Sequence, residues 1–180
     1  PPVFLAAVGE LMTEVAGEVA DGLLAHGFTT ERYMREVTLP ALERGLVKSG
    51  RTLEGFDISY PAMIVTGTNE DEMKAAVQGV KAQLAFYGST PAYKPVLALH
   101  GWGDLHSELN ILSKRGEWVE MAGLISDDIV DAFAVVGSTQ EIPAKLLARY
   151  GDMVTRISFY APYRMDHGRV QEMLAGFKSS

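Results

Sequence analysis

The residues best suited to chemistry sit in short clusters. The apolar run Val3-Phe4-Leu5-Ala6-Ala7-Val8 stops at Gly9, and Glu10 opens a helical pattern. A strand that ends in glycine and feeds a helix offers free backbone N–H groups and the positive end of a helix dipole, both suited to a phosphate. The competing reading is that Gly9 only permits a tight turn. Glu10 would repel an anion there unless its side chain points away. His100-Gly101-Trp102-Gly103-Asp104-Leu105-His106 gathers two histidines, a carboxylate and an indole. Its spacing matches no familiar ligand pattern and a third ligand is not evident, so no metal site is expected. Ser126-Asp127-Asp128 and Ser138-Thr139 read as helix starts, where hydroxyls cap and carboxylates suit the dipole. A phosphate role for Ser138-Thr139 is the competing reading. Asp166-His167 has no serine in a nucleophile elbow to serve, which argues against a hydrolase triad. No acid or base of a reaction is assigned.

These residues need elements to position them. Short buried runs at 3–8, 23–25, 58–65 and 156–160 read as strands of a parallel sheet. Helical stripes fall at 10–19, from Thr30 to Gly50 with a break or kink at Pro40, from the Thr68-Asn69-Glu70-Asp71 box to Gly88, from the Ser138–Glu141 box to Tyr150, and at 168–177. Residues 89–103 read as loop, and shorter helices follow near 104–114, 117–123 and 127–134. Buried strands alternating with amphipathic helices imply a parallel α/β sheet with right-handed crossovers. No linker divides the chain, so residues 1–180 read as one domain with a helical insertion at about 70–150.

Composition narrows the function classes. The chain of 180 residues is 47% hydrophobic, enough for a real core. A net charge of −7 argues against a nucleic-acid partner. With no cysteine, there is no disulfide scaffold and no thiolate metal site. The longest apolar run is far short of a membrane span, and the expected setting is the cytoplasm. The chain opens Pro1-Pro2-Val3 directly into a strand, which suggests the C-terminal part of something longer.

The segments Phe4–Gly9, Met12 and Ala16-Gly17-Glu18-Val19-Ala20-Asp21-Gly22 resemble the luciferase-like monooxygenase superfamily, in its coenzyme F420-dependent branch. Trp118–Met121, Ile125–Asp128, Val136–Ile142 and Arg156–Tyr160 fit as well. Glu10 departs from the proline often found there. The resemblance implies a TIM-type (β/α)8 barrel, of which this chain would be the C-terminal half: four parallel βα units with a helical insertion before the last strand. It implies a flavin- or deazaflavin-dependent oxidoreductase that transfers hydride to or from a small organic substrate, with coenzyme F420 first and FMN as the alternative. Ala7, Val8, Gly9, His26 and Gly27 would hold the cofactor's tail, His26 donating to its phosphate or ribityl chain. An ordinary rim histidine is the competing reading. Tyr93 and Trp102 would line the substrate pocket, or else pack the insertion down. A half-barrel exposes two sheet edges and an apolar face, which implies a homo-oligomer or a partner carrying the missing N-terminal half. The alternative functions are a non-catalytic assembly module and a stand-alone small-molecule binder.

Overall fold

The computed structural model describes residues 1–178. Five strands and ten α-helices follow in order: β1 (Phe4–Ala7), α1 (Glu10–Val19), β2 (Gly22–Ala25), α2 (Glu31–Tyr33), α3 (Leu39–Lys48), β3 (Asp57–Val65), α4 (Glu70–Gly88), α5 (Lys94–Leu99), α6 (Gly103–Arg115), α7 (Trp118–Gly123), α8 (Asp127–Phe133), β4 (Ala134–Val136), α9 (Ile142–Tyr150), β5 (Arg156–Tyr160) and α10 (His167–Gly176). Every strand pair is parallel. Ser59 of β3 pairs with Leu24 and with Arg156, and Met63 pairs with Ala134 and with Tyr160. A strand has only two edges, so β2 and β4 share one edge of β3 and β5 takes the other.

The expected four βα units are therefore corrected to five parallel strands. The strand missed in the sequence is β4. Its residues Ala134-Val135-Val136 follow directly on the apolar end of α8, so no turn residue announces the change of period. Pro40 does not end the helix: helical backbone runs without a gap from Glu31 to Lys48, and the proline follows directly on a stretch of altered hydrogen bonding. The irregularity lies earlier, in a five-residue π-helical stretch at Met34–Thr38. The expected loop after Gly88 contains a 3₁₀ turn (Pro91–Tyr93) and α5.

Two apolar clusters pack against the sheet. Leu23, Ile58, Tyr60 and Ile64 meet Ala16, Leu42, Leu46, Ile142, Leu146 and Tyr150. Met63, Val65 and Ala134 meet residues of α4 to α8, among them Val80, Leu84, Leu97, Leu109 and Phe133. The second cluster fixes the helical insertion over the upper end of β3.

The α1–α3 pair is unusually close because both helices carry glycine at the crossing. A Cβ on Gly45 would lie 1.9 Å from the Glu14 carbonyl oxygen, and one on Gly17 would lie 2.3 Å from that of Leu42. Arg51 closes the far end of α1 by donating to the carbonyls of Gly17 and Ala20 at 2.7 and 2.6 Å. This helix has no basic residue in its last turn, so the guanidinium supplies the charge its C-terminal dipole favours. These contacts fix where the opposite end of α1 points.

Candidate functional site

That opposite end begins at Gly9. Its φ of +76° and ψ of 164° lie in a region open essentially to glycine alone. No side chain caps α1, and nothing lies within 4 Å of where a Gly9 Cβ would be. The first-turn N–H groups thus have no side-chain acceptor, and Gly9 and Thr13, on either side of that turn, lie on the wall of a cleft. Glu10 does not obstruct it: its carboxylate pairs with Arg44 of α3, which also holds Glu14.

The cleft is lined by Ala7, Val8 and Gly9, by Thr13 of α1, by Thr29 of the β2–α2 loop, and by Thr38 of the π-helical stretch, among others. It holds about 390 Å³ of empty space out to its mouth, but its depth gives the centre of a water only about 30 Å³ in which to move. A compact group fits there; a fused ring does not. The three threonines are all buried. The Thr13 hydroxyl donates to the Gly9 carbonyl at 2.9 Å, bracing the turn. Thr29, only 6% exposed, has no hydrogen-bond partner for its hydroxyl oxygen. A buried hydroxyl without a partner costs about 1–3 kcal/mol, so Thr29 offers a hydrogen bond to whatever group enters the cleft.

His26 also lines the cleft, yet both ring nitrogens are committed. Nδ1 accepts the Phe28 N–H at 3.0 Å. The neutral ring must then carry its proton on Nε2, which lies 3.1 Å from the Tyr93 hydroxyl and donates to it. The two rings stack with centroids 4.7 Å apart, and Tyr87 meets the imidazole edge-on at 4.9 Å. Burial pushes the His26 pKa below its ordinary value. The expected donation from His26 to a phosphate or ribityl chain is not the geometry found; its proton goes to Tyr93. Gly27 is not among the lining residues, and its Cα packs against Tyr160 and Pro61, where a Cβ would come to 3.2 and 3.3 Å. Trp102 stands outside the cleft, stacked on His100 at 4.6 Å. His100 Nε2 lies 2.8 Å from the Thr30 hydroxyl, and burial holds the ring's pKa down as well.

The remaining clusters are structural. His106 Nδ1 donates to the Gly88 carbonyl at 2.7 Å. No group of three or more His, Asp or Glu fit to hold a metal occurs among the described residues. The Ser138 hydroxyl donates to Glu141 and that of Thr139 to Glu172, so carboxylates already occupy the place a phosphate would take. The Ser138 N–H and hydroxyl hold the Glu141 pKa down at about 2. Asp166 caps α10 through the Arg169 N–H, and Ser126 caps α8 through that of Ile129.

The histidines give a pH prediction. A His with a depressed folded-state pKa binds fewer protons than in the unfolded chain, so its stabilisation is present above the ordinary value of 6.5 and is lost as pH falls below it. Thermal unfolding is expected to move to lower temperature between pH 7.5 and 5.5. The substitution His26→Asn should flatten that slope. A slope identical to that of the parent would show that His26 takes no part in it.

The luciferase-like monooxygenase family matches residues 1–156. The chain belongs to that family. An uncharacterized protein of Mycobacterium tuberculosis is 53% identical over 157 residues, covering 87% of this chain and 46% of the relative. The 5,10-methylenetetrahydromethanopterin reductase of Methanopyrus kandleri is 27% identical over 176 residues, covering 96% of this chain and 48% of the relative. The solved coenzyme F420-dependent tetrahydromethanopterin reductase of that organism shares the fold, with a TM-score of 0.73 at 22% identity over 97% of this chain and 49% of that one. This luciferase-like chain spans about half the length of the curated relatives it matches. The expectation of a likeness confined to a C-terminal half is overturned: the family match starts at residue 1, and the structural match takes in 97% of the chain. Sheet and helices run in a TIM-barrel-like arrangement from β1 to β5. No helix among the described residues is long and apolar enough to cross a membrane.

Proposed function

We propose that this luciferase-like chain works in a coenzyme F420-dependent oxidoreductase and holds the phosphate-bearing tail of the cofactor. The observation that carries the reading is the unpartnered Thr29 hydroxyl, buried on the wall of a cleft that the uncapped start of α1 also faces. An anion there would take up the first-turn N–H groups and the Thr29 hydroxyl together. Relatives at 27% identity named as 5,10-methylenetetrahydromethanopterin reductases support the choice of redox chemistry.

The cofactor, when bound, supplies hydride transfer to or from a small organic substrate. The residues of this chain bind and orient. Gly9 sets the backbone so that the start of α1 opens on the cleft, and Ala7 and Val8 form its apolar lip. Tyr93, fixed by the His26 Nε2 proton, keeps its own hydroxyl proton available and stands as one wall of the substrate pocket. The test is fluorescence titration of coenzyme F420 with the purified protein. Saturable binding is expected. Absence of binding at high micromolar protein would overturn the reading.

A second reading rests on the outer face of α1, where Leu11 and Val19 are 80% and 69% exposed and Met12 and Val15 lie partly open beside them. That stripe suits an assembly module or a homo-oligomer. Native mass spectrometry decides it: oligomers that take up no cofactor would favour the module.

A further inference from the structure

We infer that the Gly9–Thr29 cleft selects a singly charged phosphate, as in a phosphodiester, over the doubly charged phosphate of a monoester. The inference rests on the cofactor-tail reading and deepens it, because F420 carries its phosphate as a diester and FMN carries a monoester.

The argument is one of charge. The lining includes no lysine and no arginine. Its one titratable base, His26, has Nδ1 engaged by the Phe28 N–H and its Nε2 proton given to Tyr93. What remains for an anion are backbone N–H groups, the neutral hydroxyls of Thr29, Tyr33 and Thr38, and a helix dipole worth about half a positive charge. Such donors balance one negative charge. A second would enter a largely buried place with no cation to meet it, at a heavy desolvation cost. Arg44, which pairs with the first residue of α1, is already shared between Glu10 and Glu14. The field of Glu10 also reaches the cleft wall: burial first, and then this carboxylate, raise the Tyr33 hydroxyl pKa.

A monoester loses its second proton near pH 6, so the ligand itself provides the switch. Dissociation constants of FMN and of coenzyme F420 would be measured between pH 5.5 and 8 on the intact protein. The constant for F420 is expected to stay flat. That for FMN should weaken by up to about tenfold for each pH unit above 6. Thr29→Val serves as the second arm. It removes a hydroxyl that has no partner within the protein, so its melting temperature should hold or rise. Its affinity for F420 should fall about tenfold or more, as expected for a lost hydrogen bond to a charged group. A structural role for Thr29 would not separate those two readouts. FMN binding that is flat or tightens with rising pH would overturn the inference and leave the site standing. Failure of both ligands to bind, or F420 affinity untouched by Thr29→Val, would overturn the site and the inference together.

Discussion

Gly45→Ala is expected to lower the melting temperature by about 6–12 °C. The added methyl would sit 1.9 Å from the Glu14 carbonyl oxygen and 2.9 Å from both the carbonyl carbon of Glu14 and the N of Glu18. Those are backbone atoms of α1, so no rotamer change relieves the clash. The helices must separate, and Ala16, Leu42 and Leu46, each buried to within 1% exposure, lose their fit. Overpacking of a core costs about 1–3 kcal/mol and occasionally more. A clash between two backbones belongs at the upper end, near ~3 kcal/mol, and a chain of this size loses about 2–4 °C per kcal/mol. Gly17→Ala meets the Leu42 carbonyl at 2.3 Å from the other side of the same contact. The double variant should therefore cost less than the sum, since one separation of the helices relieves both clashes. Gly123→Ala, with nothing within 4 Å, is the control and should leave the melting temperature unchanged. Differential scanning calorimetry of the parent and the four variants checks this. An unperturbed Gly45→Ala would mean that the α1–α3 crossing is looser than described.

Gly9→Ala is expected to strike binding harder than folding. No atom stands in the way of the methyl, so the whole cost is conformational. An alanine held at φ +76° and ψ 164° costs about 1–3 kcal/mol. The chain can escape that cost by turning the peptide before α1, since Gly9 lies at the cleft and not in the core. Turning it re-aims the first N–H groups of the helix and moves the carbonyl that accepts the Thr13 hydroxyl. Either way the bound state is penalised. A loss of about 2 kcal/mol corresponds to roughly thirtyfold weaker F420 binding. The melting temperature should fall by only a few degrees. An unchanged dissociation constant with a lowered melting temperature would mean that Gly9 serves the turn alone.

Much of the site's scaffold was legible because it is local. The apolar run into Gly9 marks β1 and the start of α1. The Ser126 cap, and Asn69 before α4, stand where Ser and Asn precede acidic first turns; at α9 the expected Ser138 cap is not formed, since its hydroxyl donates to Glu141 and the helix begins at Ile142 without a side-chain cap. In the Thr68–Asn69 start, the closing carboxylate is Glu72 rather than Asp71, one residue further on. Ala7, Val8, Gly9 and His26 share one cleft because parallel strands β1 and β2 end side by side, with Ala7 opposite Ala25. Alternation of strands and helices is enough to imply that.

The rest depends on contacts distant in sequence. Thr13, Thr29 and Thr38 belong to different elements, and no spacing shows that they face one cleft or that the buried Thr29 hydroxyl is left without a partner within the protein. The acceptor of the His26 Nε2 proton is a tyrosine 67 residues away. Glu10 looked hostile to an anion until Arg44, 34 residues on, drew its carboxylate aside. Strand β4 shows no period of its own in three residues; its pairing with Met63, Ile64 and Val65 makes it a strand. The sequence by itself determined the parallel α/β class, the helix starts and the glycine-ended strand, since hydrophobic period, caps and glycine act over a few residues. Only the tertiary structure decided which donors remain unspent at the cleft, because hydrogen-bond satisfaction and charge pairing are settled between elements.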